Sequence, residues 1–149
     1  QTNSVTLRPI PRDIPTGENI SPASLSIETE HDHYPLSTTE VKITITNHSH
    51  YEYECGEKYS LAYYNKSKRQ WETLPTDPVV NDILWIFPPE HPSHQQTIKL
   101  YTSESPNHPG KYRIYKSFNR GTKVAYGEFV QEHVCVGSHC LQDRHSVRD

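Results

Sequence analysis

The chain of 149 residues has no methionine, three cysteines and six glycines, and its apolar share, counted without glycine, is 32%. Ordinary soluble domains run at about 45–50% on a scale that includes glycine. A chain without methionine reads as one that starts after its initiator, and the opening Gln1-Thr2-Asn3-Ser4 reads as what an excised export signal leaves behind. No apolar run approaches the roughly 20 residues that cross a bilayer, and no basic amphipathic helix is present that could lie on one. A transmembrane segment is therefore not expected here, and any membrane tether is expected upstream. Lysine and arginine are scattered without a basic block, and the formal charge is −3, which argues against nucleic acid as a partner. Neither G-x-S-x-G nor S-x-x-K occurs, and no glycine loop of the phosphate-cradling kind is found. A nucleophile with a base in reach has no candidate, so no enzyme is expected. Capped apolar helices and internal repeats are missing as well.

What is abundant is proline, tyrosine and histidine, with twelve, ten and ten residues. Prolines and tyrosines stand in for aliphatic side chains, so the expected core is thin and tyrosine-rich. The histidines make the charge conditional, because acidification through about pH 6.5 protonates them and reverses its sign. Pro9, Pro11, Pro15 and Pro22 lie among polar residues in segment 1–23, which reads as an extended tether or an edge segment.

From there the chain alternates with period two, the mark of half-buried strands. Leu25 and Ile27 share one face, as do Val41, Ile43 and Ile45, with Lys42, Thr44 and Thr46 on the other. His31 to Pro35 reads as a polar turn between these two strands. Tyr59, Leu61 and Tyr63 alternate with Ser60, Ala62 and Tyr64, and Asn65 to Lys68 turns the chain into a partner strand over 70–74. Segment 79–87 is apolar and bounded by prolines, readable as a buried strand or a helical turn. Strands over 95–101, 111–118 and 124–131 complete a set of seven, the last two joined at Asn119-Arg120-Gly121-Thr122.

The entry into the sixth strand carries the strongest local signal. Pro109 fixes φ, Gly110 permits a positive φ, and Tyr112 opens the alternation. A tyrosine at this place in a two-sheet Greek-key fold turns back across the corner and bonds upstream backbone through its hydroxyl. Seven short strands with such a corner specify an all-β sandwich of two packed sheets over 24–134, followed by a polar tail over 135–149. The order of Gly56 before Tyr59-Ser60-Leu61, Trp71 before Leu74-Pro75, Pro109-Gly110-Lys111-Tyr112-Arg113-Ile114-Tyr115-Lys116 and Gly127-Glu128-Phe129 resembles the bacterial immunoglobulin-like domains of exported and lipid-anchored proteins, across about residues 24–131. Fibronectin type III modules share the proline-glycine-x-tyrosine turn. The resemblance implies a seven-stranded immunoglobulin-like sandwich outside the cytoplasm, in the periplasm, at the cell surface or secreted, working as a non-catalytic binding or spacer module with a protein or glycan partner.

Two further groupings suggest alternatives. His133, Cys135, His139 and Cys140 crowd the end of the last strand, at the pole where the turn with His31 and His33 and the corner with His108 should lie. Zinc or copper suits such ligands, which would make this a periplasmic metal-handling domain, although Cys-x4-Cys lacks the second pair of a structural zinc site and no cofactor is the primary expectation. In an oxidising compartment Cys135 and Cys140 can instead form a disulfide that ties down the tail. Cys55 sits at the opposite pole, and a strand of about eight residues spans roughly 25 Å against the 7 Å or so that a bridge tolerates, so it is expected free and buried. Finally, if Tyr112, Ile114 and Phe129 point inward, Tyr64, Tyr115 and Tyr126 share the outward face, where exposed rings would suit a carbohydrate-binding accessory module or a protein partner.

Overall fold

A computed structural model describes residues 8–78, 83–102, 107–136 and 139–141, which contain strands and turns and no helix. The proline-rich N-terminal segment supplies β1 (Ile10–Pro11) and β2 (Glu18–Asn19), followed by β3 (Leu25–Thr29), β4 (His33–Pro35) and β5 (Glu40–Asn47). Next come β6 (Tyr53–Cys55), β7 (Ser60–Asn65), β8 (Gln70–Thr76), β9 (Trp85–Phe87) and β10 (Ser93–Lys99). The long pair β11 (Gly110–Phe118) and β12 (Lys123–Glu132) leads to a short hairpin of β13 (Val134–Val136) and β14 (His139–Leu141).

Two sheets hold most of these strands. The larger has the order β1-β8-β7-β11-β12-β2, with β4 also paired to β12, and the smaller has the order β10-β5-β3. The seven strands expected from alternation are β3, β5, β7, β8, β10, β11 and β12. The strand expected over 95–101 begins two residues earlier and ends at Lys99. Of the ambiguous segment, Trp85–Phe87 is a strand antiparallel to β6, and 79–82 lies outside the described residues.

Side chains from both sheets meet in one core. Leu25, Ile27, Val41, Ile43, Ile45 and Ile98 of the smaller sheet face Leu61, Tyr112, Ile114, Phe118 and Phe129 of the larger. Tyr34, Tyr53 and Tyr59 add their rings. Tyr34 departs from the polar turn read for 31–35, because its ring is buried edge-on against Phe129 at 5.4 Å and its hydroxyl accepts the His31 N–H at 3.0 Å. At the corner before β11, the Tyr112 hydroxyl donates to the His108 carbonyl at 2.6 Å and accepts the His108 N–H at 2.9 Å. Its ring stacks on Phe129 at 5.3 Å, and burial pushes its pKa up to about 12 against the opposing pull of the His108 backbone bond. Gly110 adopts a φ of 142° at this turn.

The N-terminal third laces the sheets together. Glu18 and Asn19 run parallel to β12, β3 then joins β5 in the other sheet, and β4 returns to β12. Gly127 makes this path available, since a Cβ there would stand 2.6 Å from the Ile27 carbonyl oxygen. Residues 10–19 cross the outer face of the larger sheet from β8 to the far side of β12. Five strand spacings amount to about 24 Å, so nine residue steps must run largely extended. This strap bonds the sheet along the way, with Ser60 Oγ donating to the Asp13 carbonyl at 2.8 Å and Arg12 reaching the Asp77 carbonyl at 2.9 Å. Ile14 packs on Ala62, Tyr115 and Val124.

One core residue runs against composition. Lys116 is fully buried, on the same face of β11 as Ile114 and Phe118. Its Nζ donates to the carbonyls of Gly56 at 2.7 Å and Lys58 at 3.2 Å and to Gln96 Oε1 at 2.8 Å, and it lies 5.5 Å from the Trp85 ring. Desolvation pulls its pKa down to about 8, against the opposing influence of Cys55 and Glu57. The ammonium thereby ties β11 to β10 and to the loop before β7.

Candidate binding face

The outer face of β8, β7, β11 and β12 collects aromatic rings around one guanidinium. Register sets the row, pairing Tyr64 with Trp71, Arg113 with Glu128 and Tyr115 with Tyr126. The Arg113 guanidinium lies 4.1 Å from the centre of the Trp71 ring and 4.0 Å from that of Tyr126, held between two π-faces. Its Nε donates to Glu128 Oε2 at 2.7 Å and its Nη1 to the Tyr115 hydroxyl at 2.9 Å. Desolvation works against the cation, but these two bonds together with the electrostatic influence of Tyr115 and Tyr126 outweigh it and raise its pKa. Tyr64 extends the row, its ring 5.1 Å from Trp71. The charge of Arg113 is neutralised by Glu128, so the row presents rings and polar edges with little net charge.

The three outward tyrosines expected from alternation do lie on this one face, yet they differ in accessibility. Tyr126 is 41% exposed and Tyr64 is half-buried. Tyr115 is only 7% exposed, which corrects the expectation of an open ring: the strap crosses it, and Ile14 packs on the same cluster. A strap laid over a sheet leaves no trace in the period of the strands beneath it, so alternation alone could not reveal this cover. Trp71 and Arg113 were legible by the same alternation, Trp71 opposite Tyr64 and Arg113 two residues before Tyr115. Below the strap, a cleft of about 770 Å³ is bordered by Arg12, Asp13, Lys58, Ser117 and Arg120, with the exposed side chain of Leu84 at its rim. Charges of both signs and a hydroxyl line it, which suits a polar ligand of low net charge better than a strong ion.

Backbone register places His33, opposite Val130, and the turn with His108 before Gly110, opposite Gln131, at the same end of β12. His33 Nδ1 approaches Glu132 Oε2 at 3.0 Å, and Asn107, beside His108, donates to the Leu36 and Thr38 carbonyls across the same end. His31 packs edge-on to Tyr34 at 5.6 Å, and the His108 ring stands 6.0 Å from Tyr63. Among the described residues, no three His, Cys, Asp or Glu side chains group as a metal site. Backbone register sets Cys135 opposite Cys140 and Val136 opposite His139 in the terminal hairpin; the side chains of these residues lie outside the described set. Cys55 is a free thiol, buried on β6, and desolvation raises its pKa to about 11.

No helix among the described residues is long and apolar enough to cross a membrane. The profile of a family described as a bacterial Ig-like domain matches residues 21–131. Among solved structures, the chain is similar to an alkylpurine DNA glycosylase, AlkC, of Pseudomonas fluorescens bound to DNA containing an abasic-site analogue, with 11% identity and a TM-score of 0.36. That match covers 74% of this chain and 31% of the other, so the chain spans less than a third of that structure's length. No curated protein matches the chain.

Proposed function

We propose, since the chain belongs to the bacterial Ig-like domain family, that it is an exported module that holds a protein or glycan partner on the outer face of its larger sheet. Members of this family are typically non-enzymatic and commonly extracellular. The observation that carries the binding assignment is the Trp71–Arg113–Tyr126 stack, clamped by Glu128 and open to solvent at Tyr126. Rings fixed in this way offer apolar area with little left to lose in side-chain entropy, which favours stacking on a sugar ring or on a flat protein side chain. Charge neutralisation within the row disfavours strongly ionic partners. The two sheets act as a rigid platform, so binding proceeds by contact and involves no chemistry.

Binding of the labelled full chain to a glycan array and to insoluble cell-wall polysaccharide tests this reading, with Tyr126→Ala compared at equal thermal stability. Retention that Tyr126→Ala reduces at least tenfold supports a glycan partner. Retention indifferent to Tyr126→Ala refutes the assigned face. Silence on all glycans, together with no loss of surface adhesion in the variant, returns the row to a structural role.

A further inference from the structure

We propose that the groove filled by residues 10–19 also accepts the same segment of a second copy, so that two chains exchange their N-terminal straps. The groove is shaped for this segment. Its floor is Ala62 at 0%, Val124 at 2% and Tyr115 at 7% exposure, with Ile14 seated on it. One end is fixed by the Ile10↔Thr76 and Pro11↔Pro75 pairs, the middle by Ser60 Oγ on the Asp13 carbonyl at 2.8 Å, and the far end by Glu18 N–H on the Thr122 carbonyl at 2.9 Å. An ion pair of Lys123 with Glu18 at 2.6 Å adds an exposed contact.

The hold is nonetheless light. Pro9, Pro11 and Pro15 have no N–H, so no continuous ladder can form; the strand pairs cover two residues at each end, with one further bond from Ile20 N–H to the Val124 carbonyl at 2.8 Å. The side chain of Ile10 is 50% exposed. Segments of this kind open locally at a cost well below that of global unfolding. Once the strap leaves, the apolar floor faces water, and the complementary filler is another strap. Every strap–groove bond made within one chain is available between two, so exchange alters only the hinge and the entropy of association.

The hinge is a single turn. Ser24 and Leu25 N–H groups bond the Ser21 carbonyl at 2.8 and 3.0 Å, and Ala23 N–H bonds Ser21 Oγ at 3.2 Å. A strap on so short a connection competes at an effective concentration in the millimolar range. Exchange is therefore minor in dilute solution and takes over where copies are crowded or where the hinge cannot fold back.

Two measurements on the full chain test this. Deleting Pro22 and Ala23 is expected to double the mass seen by light scattering at a concentration where the unaltered chain is monomeric; a folded monomer would overturn the proposal. Independently, a fluorescein-labelled peptide of residues 8–21 is expected to raise its anisotropy saturably on the full-chain Ile14→Asp variant, whose own strap is weakened. Binding to the unaltered chain should be at least tenfold weaker, and a peptide carrying Ile14→Asp should not bind. Failure of the unaltered peptide to bind the folded variant at millimolar concentration overturns exchange, even if the shortened chain does not fold.

Discussion

Replacing Lys116 by methionine should change the pH dependence of stability in a defined direction. The folded pKa is depressed to about 8 from 10.5, so between these values the unfolded chain binds more protons than the folded one. Stability then rises with pH across that window. With those two pKa values, this one group adds about 2 kcal/mol to the unaltered protein between pH 7 and pH 9.5, and nearly nothing below pH 7. The methionine variant lacks that gain. Subtraction is needed because Cys55, raised to about 11 from 9.0, acts in the opposite sense: its folded form retains a proton that the unfolded one loses, and stability falls as pH rises above 9. Cys55 is present in both proteins, although its coupling to Lys116 goes with the amine. Methionine also strips the donor from the Gly56 and Lys58 carbonyls and from Gln96, at a cost of about 1–3 kcal/mol for each acceptor left buried and unpaired. Losing a buried charge offsets part of this. Urea unfolding of both proteins at pH 7, 8.5 and 9.5 gives the difference directly. A difference that widens toward pH 9.5 by about 2 kcal/mol agrees with a buried ammonium; a difference flat in pH would refute it.

Tyr112→Phe keeps the ring between Phe129 and Tyr63 but deletes the hydroxyl shared with His108. It should cost about 1–3 kcal/mol in urea unfolding, with the fold intact by far-UV circular dichroism, and an unchanged midpoint would show that the hydroxyl's bonds to His108 contribute nothing. Gly127→Ala places a methyl group 2.6 Å from the Ile27 carbonyl oxygen, which belongs to backbone and cannot swing aside. The strand must shift, and a loss of about 1–3 kcal/mol in the same assay is expected; equal stability would mean that β3 approaches β12 less closely than described.

Much of the sandwich was legible because alternation is a local property. Val41, Ile43 and Ile45 face one way in any strand, and Pro109-Gly110 before Tyr112 calls for a turn whatever lies beyond it. The same rule places Lys116 inward with Ile114 and Phe118, yet a lysine read by composition goes to the surface, since burying a charge is expensive. What makes its burial tolerable comes from far along the chain, from the carbonyls of Gly56 and Lys58 and the amide of Gln96. Short pairings such as β1, β2 and β4 have no periodicity to announce them, because two or three residues complete less than a full pattern.

Sequence alone determined that this chain forms two layers of antiparallel strands with a tyrosine at the corner, because strand period and turn chemistry act over a few neighbouring residues. Only the tertiary structure decided that a proline-rich strap covers Tyr115, that Arg113 lies between Trp71 and Tyr126, and that a lysine sits in the core. Those outcomes depend on which distant residues meet across the sheets, and contact at long range is fixed by packing and desolvation rather than by local pattern.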